Sequence, residues 1–409
     1  MTAPTSVHSP TQFRRLLVLI ATCCVDMIGF AMVFPLLPFY ALHLNATAEQ
    51  VGWILASYSI AQLLSAPLWG RVSDRYGRRP ALLIGLSASA IAFLVFGLAD
   101  AVWLLFVSRL VQGAGGGTTG VAQAYVADTI RPEDRARALG WLSAATSAGV
   151  MVGPVIGSFA AHWGRAVPGF VAAGLCLVNV GFAWFWLPES KQQHTGEHAI
   201  PSRRPVWHAA WEVLRQPGAP VARYVWIYAV GMLAFSCLTG VLGLYLGAEF
   251  GINEKTIGYF FLYVGALSVI MRLLFLGPIV DRIGETAAMR LGTIALILGL
   301  LLYPLAHTIW ALAAIIPMVP IATALLFPST TSLMSKSSAR SEVGTTMGVA
   351  QTFGGISRVV APILATSVFQ RLGHTMPFYV AAGIVAVVSL LAFRSDSPPS
   401  PAATPVRPG

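Results

Sequence analysis

Long apolar runs alternate with short polar interruptions along this 409-residue chain. The runs fall at about 16–41, 50–69, 81–99, 102–125, 139–161 and 167–187, then at about 223–247, 256–277, 289–307, 310–333, 345–369 and 376–393. Each is near the roughly 20 residues that a helix needs to cross a bilayer. The pattern predicts an all-α membrane protein of about twelve transmembrane helices. Residues 188–222 form the only long polar segment. They divide the chain into an N-terminal tail 1–15, a six-helix bundle 16–187, a linker 188–222, a second six-helix bundle 223–394 and a Pro-rich tail 395–409 that is expected to be disordered.

The two bundles echo one another. Gly70, Asp74, Arg75 and Gly77 spell G-x-x-x-D-R-x-G, followed by Arg78 and Arg79; Gly277, Asp281, Arg282 and Gly284 spell it again 207 residues later. Both copies lie between two apolar runs. At a shift of 208, Gly140 and Gly153-Pro154 correspond to Gly348 and Ala361-Pro362. A repeat of this kind makes the chain two similar halves.

Composition agrees, with 10% charged residues against about 25% in a soluble protein. The net charge of +10 suggests nucleic acid, but the basic residues lie in the short connections, so no nucleic acid is expected. Arg14, Arg15, Arg71, the loop arginines, Arg131, Arg135, Arg137, Arg203, Arg204, Arg282, Arg290, Lys336 and Arg340 fall on one side; Arg165, Lys255 and Arg371 fall on the other. The heavily basic side is cytoplasmic by the positive-inside rule, which puts both termini in the cytoplasm and the chain in the cell's inner membrane. No cleavage site follows the first run, so it is expected to remain as a helix. Cys23, Cys24, Cys176 and Cys237 lie in apolar runs without C-x-x-C spacing, so neither a metal nor a disulfide is indicated.

No P-loop, H-E-x-x-H or G-x-S-x-G is present, so the chain is not expected to be an enzyme, and no cofactor is implied. Gly115 to Gly120 matches G-x-G-x-x-G but sits in an apolar helix with no strand before it. The pairs Gly113/Gly117 and Gly116/Gly120, four apart, are expected to serve close helix packing instead.

Charges within spans are costly and functional by default. Asp26 is the one acid deep in a span, about 15 Å from the cytoplasmic face at 1.5 Å per residue. Loss of water penalises the ionised form, so a carboxyl so placed can take up a proton from one side and release it to the other; the other reading is a permanently paired structural aspartate. Arg109, Arg272 and Arg358 also lie within spans. Arg272 can snorkel to the surface. Arg358 either contacts substrate or pairs structurally, and Arg109 pairs with Asp26 or with backbone carbonyls. Asp128, Glu133 and Asp134 are expected as solvated partners of Arg131, Arg135 and Arg137.

Together these features resemble the major facilitator superfamily, whose signature loop is similar to the Gly70–Arg79 stretch. Asp26-x-x-Gly29 with Pro35 and Pro38 is similar to the first-helix motif of twelve-span drug–proton antiporters. Arg109-x-x-Gln112-Gly113 resembles the fourth-helix motif linked to proton coupling. Gly149, Gly153, Pro154 and Gly157 resemble the fifth-helix antiporter motif, with Ser158 in place of its closing glycine. Ala124 to Asp128, and Gln62 with Ala66-Pro67, resemble the tetracycline-exporter branch. Ser268 and Leu296 stand where those exporters carry a histidine and an aspartate, which argues against tetracycline itself.

The resemblance implies two bundles rocking about a midplane site. Asp74 would face the N-terminus of the eleventh helix near Gly344 and stabilise one state. Asp26 would carry the proton, with Arg109 and Gln112 as modulators. Gln62, Phe235, Gln351 and Arg358 are the candidate substrate contacts. The expected activity is secondary active export of amphipathic, drug-like small molecules in exchange for protons, driven by the proton gradient, by a monomer in the lipid bilayer. Uptake or facilitated diffusion of a sugar or other metabolite, and a non-transporting receptor or scaffold, remain the alternatives.

Overall fold

The computed structural model describes residues 10–190, 206–339 and 342–393. The expectations for the tail 395–409, for the first nine residues, for 191–205 with Arg203 and Arg204, and for Arg340 lie outside the described residues. Among the described residues there is no strand.

The helices of the first half are α1 (Pro10–Val33), α2 (Leu37–His43), α3 (Ala48–Tyr76), α4 (Arg78–Gly97), α5 (Val102–Gly115), α6 (Thr118–Thr129), α7 (Pro132–Ala160) and α8 (Val167–Trp186). Then follow α9 (Val206–Arg215), α10 (Pro220–Phe250), α11 (Ile257–Ile270), α12 (Leu276–Leu302), α13 (Ile309–Ile315), α14 (Met318–Ser337), α15 (Val343–Leu372) and α16 (Met376–Phe393).

All twelve predicted runs fall on these helices. Nine stretches among the described residues are long and apolar enough to cross a membrane. One of them, Ile257–Leu305, holds two predicted runs. The 102–125 run is split into α5 and α6, and α16 carries a shorter apolar stretch, Met376–Leu390. Large apolar side chains stand exposed along the helices, among them Trp310 (83%), Phe185 (79%) and Val178 (72%). Such a surface suits hydrocarbon rather than water.

Local chemistry sets the breaks. Pro35 has no N–H to donate, and α1 ends just before it; Pro38 opens α2. Thr47 and Gln50 form a reciprocal capping box at the start of α3. Gly116 and Gly117 interrupt the fourth run between α5 and α6. A π-helical turn, Met271–Phe275, joins α11 to α12.

The described residues pack into two compact units. The first comprises those of Met1–His198 with Thr239–Ala266 and Val359–Pro377; the second comprises those of Ala199–Leu238, Leu267–Arg358 and Phe378–Gly409. In the first unit α1 packs on α7 and α8, α4 on α8, and α5 on α3 and α4. Leu19, Leu82, Leu86, Val121, Tyr125 and Leu142 lie in one of its buried clusters. The parts of α10, α11 and α15 within this unit are held by specific contacts. Arg371 Nη2 meets Glu49 Oε1 at 2.9 Å, and Gln370 Oε1 accepts the Glu49 N–H at 2.9 Å. Gly52 lies so close to Thr366 that a Cβ would overlap its hydroxyl. In the second unit α12 packs on α14.

The repeated loops share a backbone conformation. Gly77 has φ 106° and ψ 160°, and Gly284 has φ 79° and ψ 163°. This region is open essentially to glycine alone, which explains why both copies end on that residue.

Candidate functional site

Asp26 lies on α1, 6% exposed. Its Oδ2 accepts a hydrogen bond from Thr118 Oγ1 at 3.1 Å. Ser89 on α4 is a second hydroxyl partner, and the thiols of Cys23 and Cys176 lie nearby. Thr118 is the first residue of α6 and reaches Asp26 because the fourth run breaks at Gly116 and Gly117. The carboxyl therefore sits beside the start of a half-helix, where backbone N–H groups point outward. Trp69 fills the space that a Gly117 side chain would need, and its Nε1 donates to the Ala114 carbonyl at 2.6 Å.

Glycine sets the packing around this acid. A Cβ on Gly29 would come within 3.0 Å of the Phe93 ring and 3.2 Å of Cys176 Sγ. On α7, Gly149, Gly153 and Gly157 lie against Cys24–Met27, Ile28–Ala31 and Met32 of α1, each too close for a Cβ. Three turns of α7 thus lie on the α1 backbone around Asp26. Another face of α7 meets α11: Ser158 Oγ accepts the buried Gly258 N–H at 2.8 Å, and Met151 packs on Gly265. Ser158 thereby satisfies one of the donors left unpaired at the start of a helix. The glycine packing expected of Gly113, Gly116 and Gly117 is present, but Gly120 has no atom within 4 Å of where a Cβ would stand.

Arg109 and Gln112 are 1% and 3% exposed, three residues apart on α5. None of the three Arg109 side-chain nitrogens has a hydrogen-bond partner, nor has Gln112 Oε1, and the guanidinium lies 5.9 Å from the Phe96 ring centre. Asp26 and Arg109 form no ion pair in this structure. A buried cation and acceptor left unsatisfied are rare in folded proteins and call for an explanation. Gln62 Nε2 donates to Tyr58 Oη at 3.1 Å and to the Gly116 carbonyl at 3.3 Å. Tyr58 packs on Phe30, and Phe30 on Phe34, with ring centres 5.3 and 5.7 Å apart.

The other candidate contacts lie in the second unit. Phe235 and Tyr228 flank Phe327, at 6.4 and 5.5 Å between ring centres. Gln351 is exposed and Arg358 half-buried. Arg272 lies exposed on the π-helical turn.

In the signature loop, Asp74 is two-thirds exposed and paired with Arg78. Arg78 Nε also binds Asp128 Oδ2 at 2.8 Å and Nη1 binds Ser73 Oγ at 2.6 Å. Asp128 is therefore held by Arg78, where the sequence suggested Arg131, Arg135 or Arg137; Arg135 donates to the Ile130 carbonyl, and Arg137 lies over Trp141. Glu189 accepts the backbone N–H groups of Arg78 and Arg79 at 2.9 and 3.1 Å, capping α4. Arg79 donates to the Trp184 carbonyl and lies over its ring. Arg75 lies over Tyr76. In the second copy Glu285 follows Gly284 and binds Lys336 Nζ at 2.8 Å and Ser332 Oγ at 2.7 Å.

The sequence alone does not single out Tyr58, Thr118 and Ser89. Tyr58 had a signal, lying four residues before Gln62 on the same helix face. The two hydroxyls had none.

Comparison with known proteins agrees with this architecture. The profile of the Major Facilitator Superfamily matches residues 19–319 and, again, 224–409. The class C tetracycline resistance protein of Escherichia coli is 30% identical over 377 residues, covering 88% of this chain and 91% of that protein. Multidrug resistance protein 2 of Bacillus subtilis (strain 168) is 27% identical, covering 91% and 93%. Among solved structures, the human organic anion transporter MFSD10 (TETRAN) superposes with a TM-score of 0.68 at 22% identity, covering 94% of this chain and all of that one. The nucleoside transporter NupG gives 0.75 at 13%, covering 95% and 100%. The chain belongs to the Major Facilitator Superfamily and is a multi-pass membrane transporter, not an enzyme.

Proposed function

We propose that this transporter exports amphipathic, drug-like small molecules in exchange for protons, by alternating access. The reading rests on Asp26. A carboxyl that is buried yet hydrogen-bonded by Thr118 is set in a span where an acid needs a task to offset its cost. Protonation removes its charge and turns an acceptor into a donor, so the Thr118 and Ser89 hydroxyls can serve both states by rotating. Arg109 and Gln112, buried and unsatisfied, are the groups we assign to tuning this step.

Two further considerations support export, and a third bears on the substrate. The glycine stripe of α7 matches the antiporter motif residue by residue up to Ser158. Relatives of similar length are named for tetracycline and multidrug resistance. Arg109, Arg272 and Arg358 outnumber Asp26 within the spans, so neutral or anionic hydrophobic compounds suit the protein better than polycations. The proton gradient supplies the energy without a bound cofactor. We place the protein in the inner membrane as a monomer, with both termini cytoplasmic.

The test is dye flux in inverted vesicles under an imposed pH gradient. Wild type is expected to move dye into the vesicle lumen as protons leave, and Asp26→Asn to lose the gradient-driven part. Undiminished proton-driven flux in Asp26→Asn rejects Asp26 as the carrier, and net movement in the opposite direction rejects export.

A further inference from the structure

The segment 188–222 reads as a polar connection in the sequence, yet part of it folds into α9, a ten-residue helix five residues before α10. At about 100° per residue, Trp207, Trp211 and Leu214 fall on one stripe. All three are open, at 66%, 54% and 49% exposure. The packed side of the helix is a different one: Val213 is 8% exposed, and its carbonyl accepts from Trp226 Nε1 on α10 at 3.4 Å. His208, Glu212 and Arg215 make up a third, polar sector.

The helix does not dangle from α10. Gln216 N–H closes on the Glu212 carbonyl, Ala219 N–H on the Gln216 carbonyl, and Arg223 Nε reaches back to the Gly218 carbonyl at 2.8 Å. The turn into α10 is bonded along its length, so the Trp207–Trp211–Leu214 stripe is held in a fixed direction relative to a bilayer-crossing helix.

Charge indicates what covers that stripe. The Arg215 guanidinium lies 5.2 Å from the Trp211 ring centre, bordering the apolar stripe with a cation. The sequence places Arg203 and Arg204 just before the helix. Three side chains on ten residues are too little for a stable protein interface, which buries about 1,200 Å² or more. Exposed tryptophans bordered by arginine are instead the pattern of a helix lying in the interfacial zone of a membrane.

We propose that α9 is such an interfacial helix, with Trp207, Trp211 and Leu214 seated at the headgroup–acyl boundary of the cytoplasmic leaflet and Arg215 binding an anionic phospholipid headgroup. A juxtamembrane basic residue is drawn to the negative surface potential of an anionic leaflet. This surface couples the start of α10 to the lipid composition of the membrane. It does not depend on the transported substrate or on Asp26.

Nitroxide labelling of the full-length protein in nanodiscs tests this. A label is placed at Trp211→Cys on the apolar stripe or at His208→Cys on the polar sector, and identically treated wild type supplies the background from the four native cysteines. Lipid-soluble oxygen and a water-soluble nickel chelate serve as relaxing agents. The oxygen-to-chelate accessibility ratio is expected to be several-fold higher at 211 than at 208. It should rise when phosphatidylglycerol replaces part of the phosphatidylcholine, and Arg215→Gln should blunt that rise. Equal ratios at the two positions overturn the proposal. So does a label at 211 shielded from both agents in lipid and in detergent alike, which would mean that protein covers the stripe. Because both positions are exposed, labelled protein that elutes and unfolds like wild type reports on the seating of α9 and not on a damaged fold.

Discussion

Thr118 Oγ1 donates to Asp26 Oδ2 at 3.1 Å, joining α1 to the first residue of α6. Threonine and valine have nearly the same shape, so Thr118→Val removes this donor with little change in packing. Leaving a buried acceptor unpaired costs about 1–3 kcal/mol, and 1.4 kcal/mol is about tenfold in a rate. Proton-driven flux in proteoliposomes is expected to fall by on the order of tenfold in Thr118→Val and to persist in Thr118→Ser. Equal rates for Thr118→Val and wild type would refute a working role for the bond.

How much of this was legible in the sequence follows from what each residue needs. Asp26 stood out because a lone acid in an apolar run has few bland explanations. Thr118 did not, because hydroxyls are ordinary in membrane helices, and the break that delivers it shows in the sequence only as a run of glycines. The spans are legible from hydropathy, whereas no periodicity in the sequence marks the π-helical turn at Met271–Phe275. Sequence proximity pairs Asp128 with Arg131, Arg135 or Arg137, but the fold brings Arg78 to it from 50 residues away. The short helix α9 was hidden by its length, well under that of a span.

Glycine requirements differ sharply between positions that look alike in the sequence. A Cβ on Gly157 would overlap the Met32 carbonyl oxygen, which is backbone and cannot rotate away, whereas Gly120 has open space. Gly157→Ala is expected to destabilise by about 1–3 kcal/mol, as overpacking does. Gly120→Ala is expected to be neutral or to stabilise by up to about 1 kcal/mol through helix propensity. Thermal unfolding of the purified proteins in detergent checks both; a Gly157→Ala midpoint at or above that of Gly120→Ala would contradict the packing argument.

Gly77 and Gly284 separate two costs. Both hold a positive φ that an alanine reaches only under strain, worth about 1–3 kcal/mol. At Gly77 a Cβ would also lie 2.5 Å from Glu189 Oε2, the carboxylate capping α4, whereas at Gly284 nothing lies within 4 Å. Both alanine variants should therefore unfold at lower temperature than wild type, Gly77→Ala lower than Gly284→Ala. The Gly77→Ala excess should shrink in a Glu189→Ala background, because the displaced side chain is then gone.

The two signature loops are braced by the same ion pair with its signs exchanged. Arg78 binds Asp128 in the first half, and Glu285 binds Lys336 in the second. The acids and bases correspond at shifts of 207 and 208, so the geometry has been kept while the polarity has been reversed. The second loop also tolerates Asp281 four residues before Glu285, the spacing that separates Asp74 from position 78. If the brace depends on the pairing and not on the sign, Arg78→Glu and Asp128→Lys should each lower the unfolding midpoint, and the double exchange should recover most of the loss. Coupling between contacting residues runs to about 0.5–3 kcal/mol, and the Arg78 side chain is only 15% exposed, which favours the upper part of that range. A double variant no more stable than the sum of its singles would show that Arg78 acts through Asp74, Ser73 or loop topology. Recovery of stability without recovery of flux would assign Arg78 a further task in the transport cycle, separate from holding the end of α6.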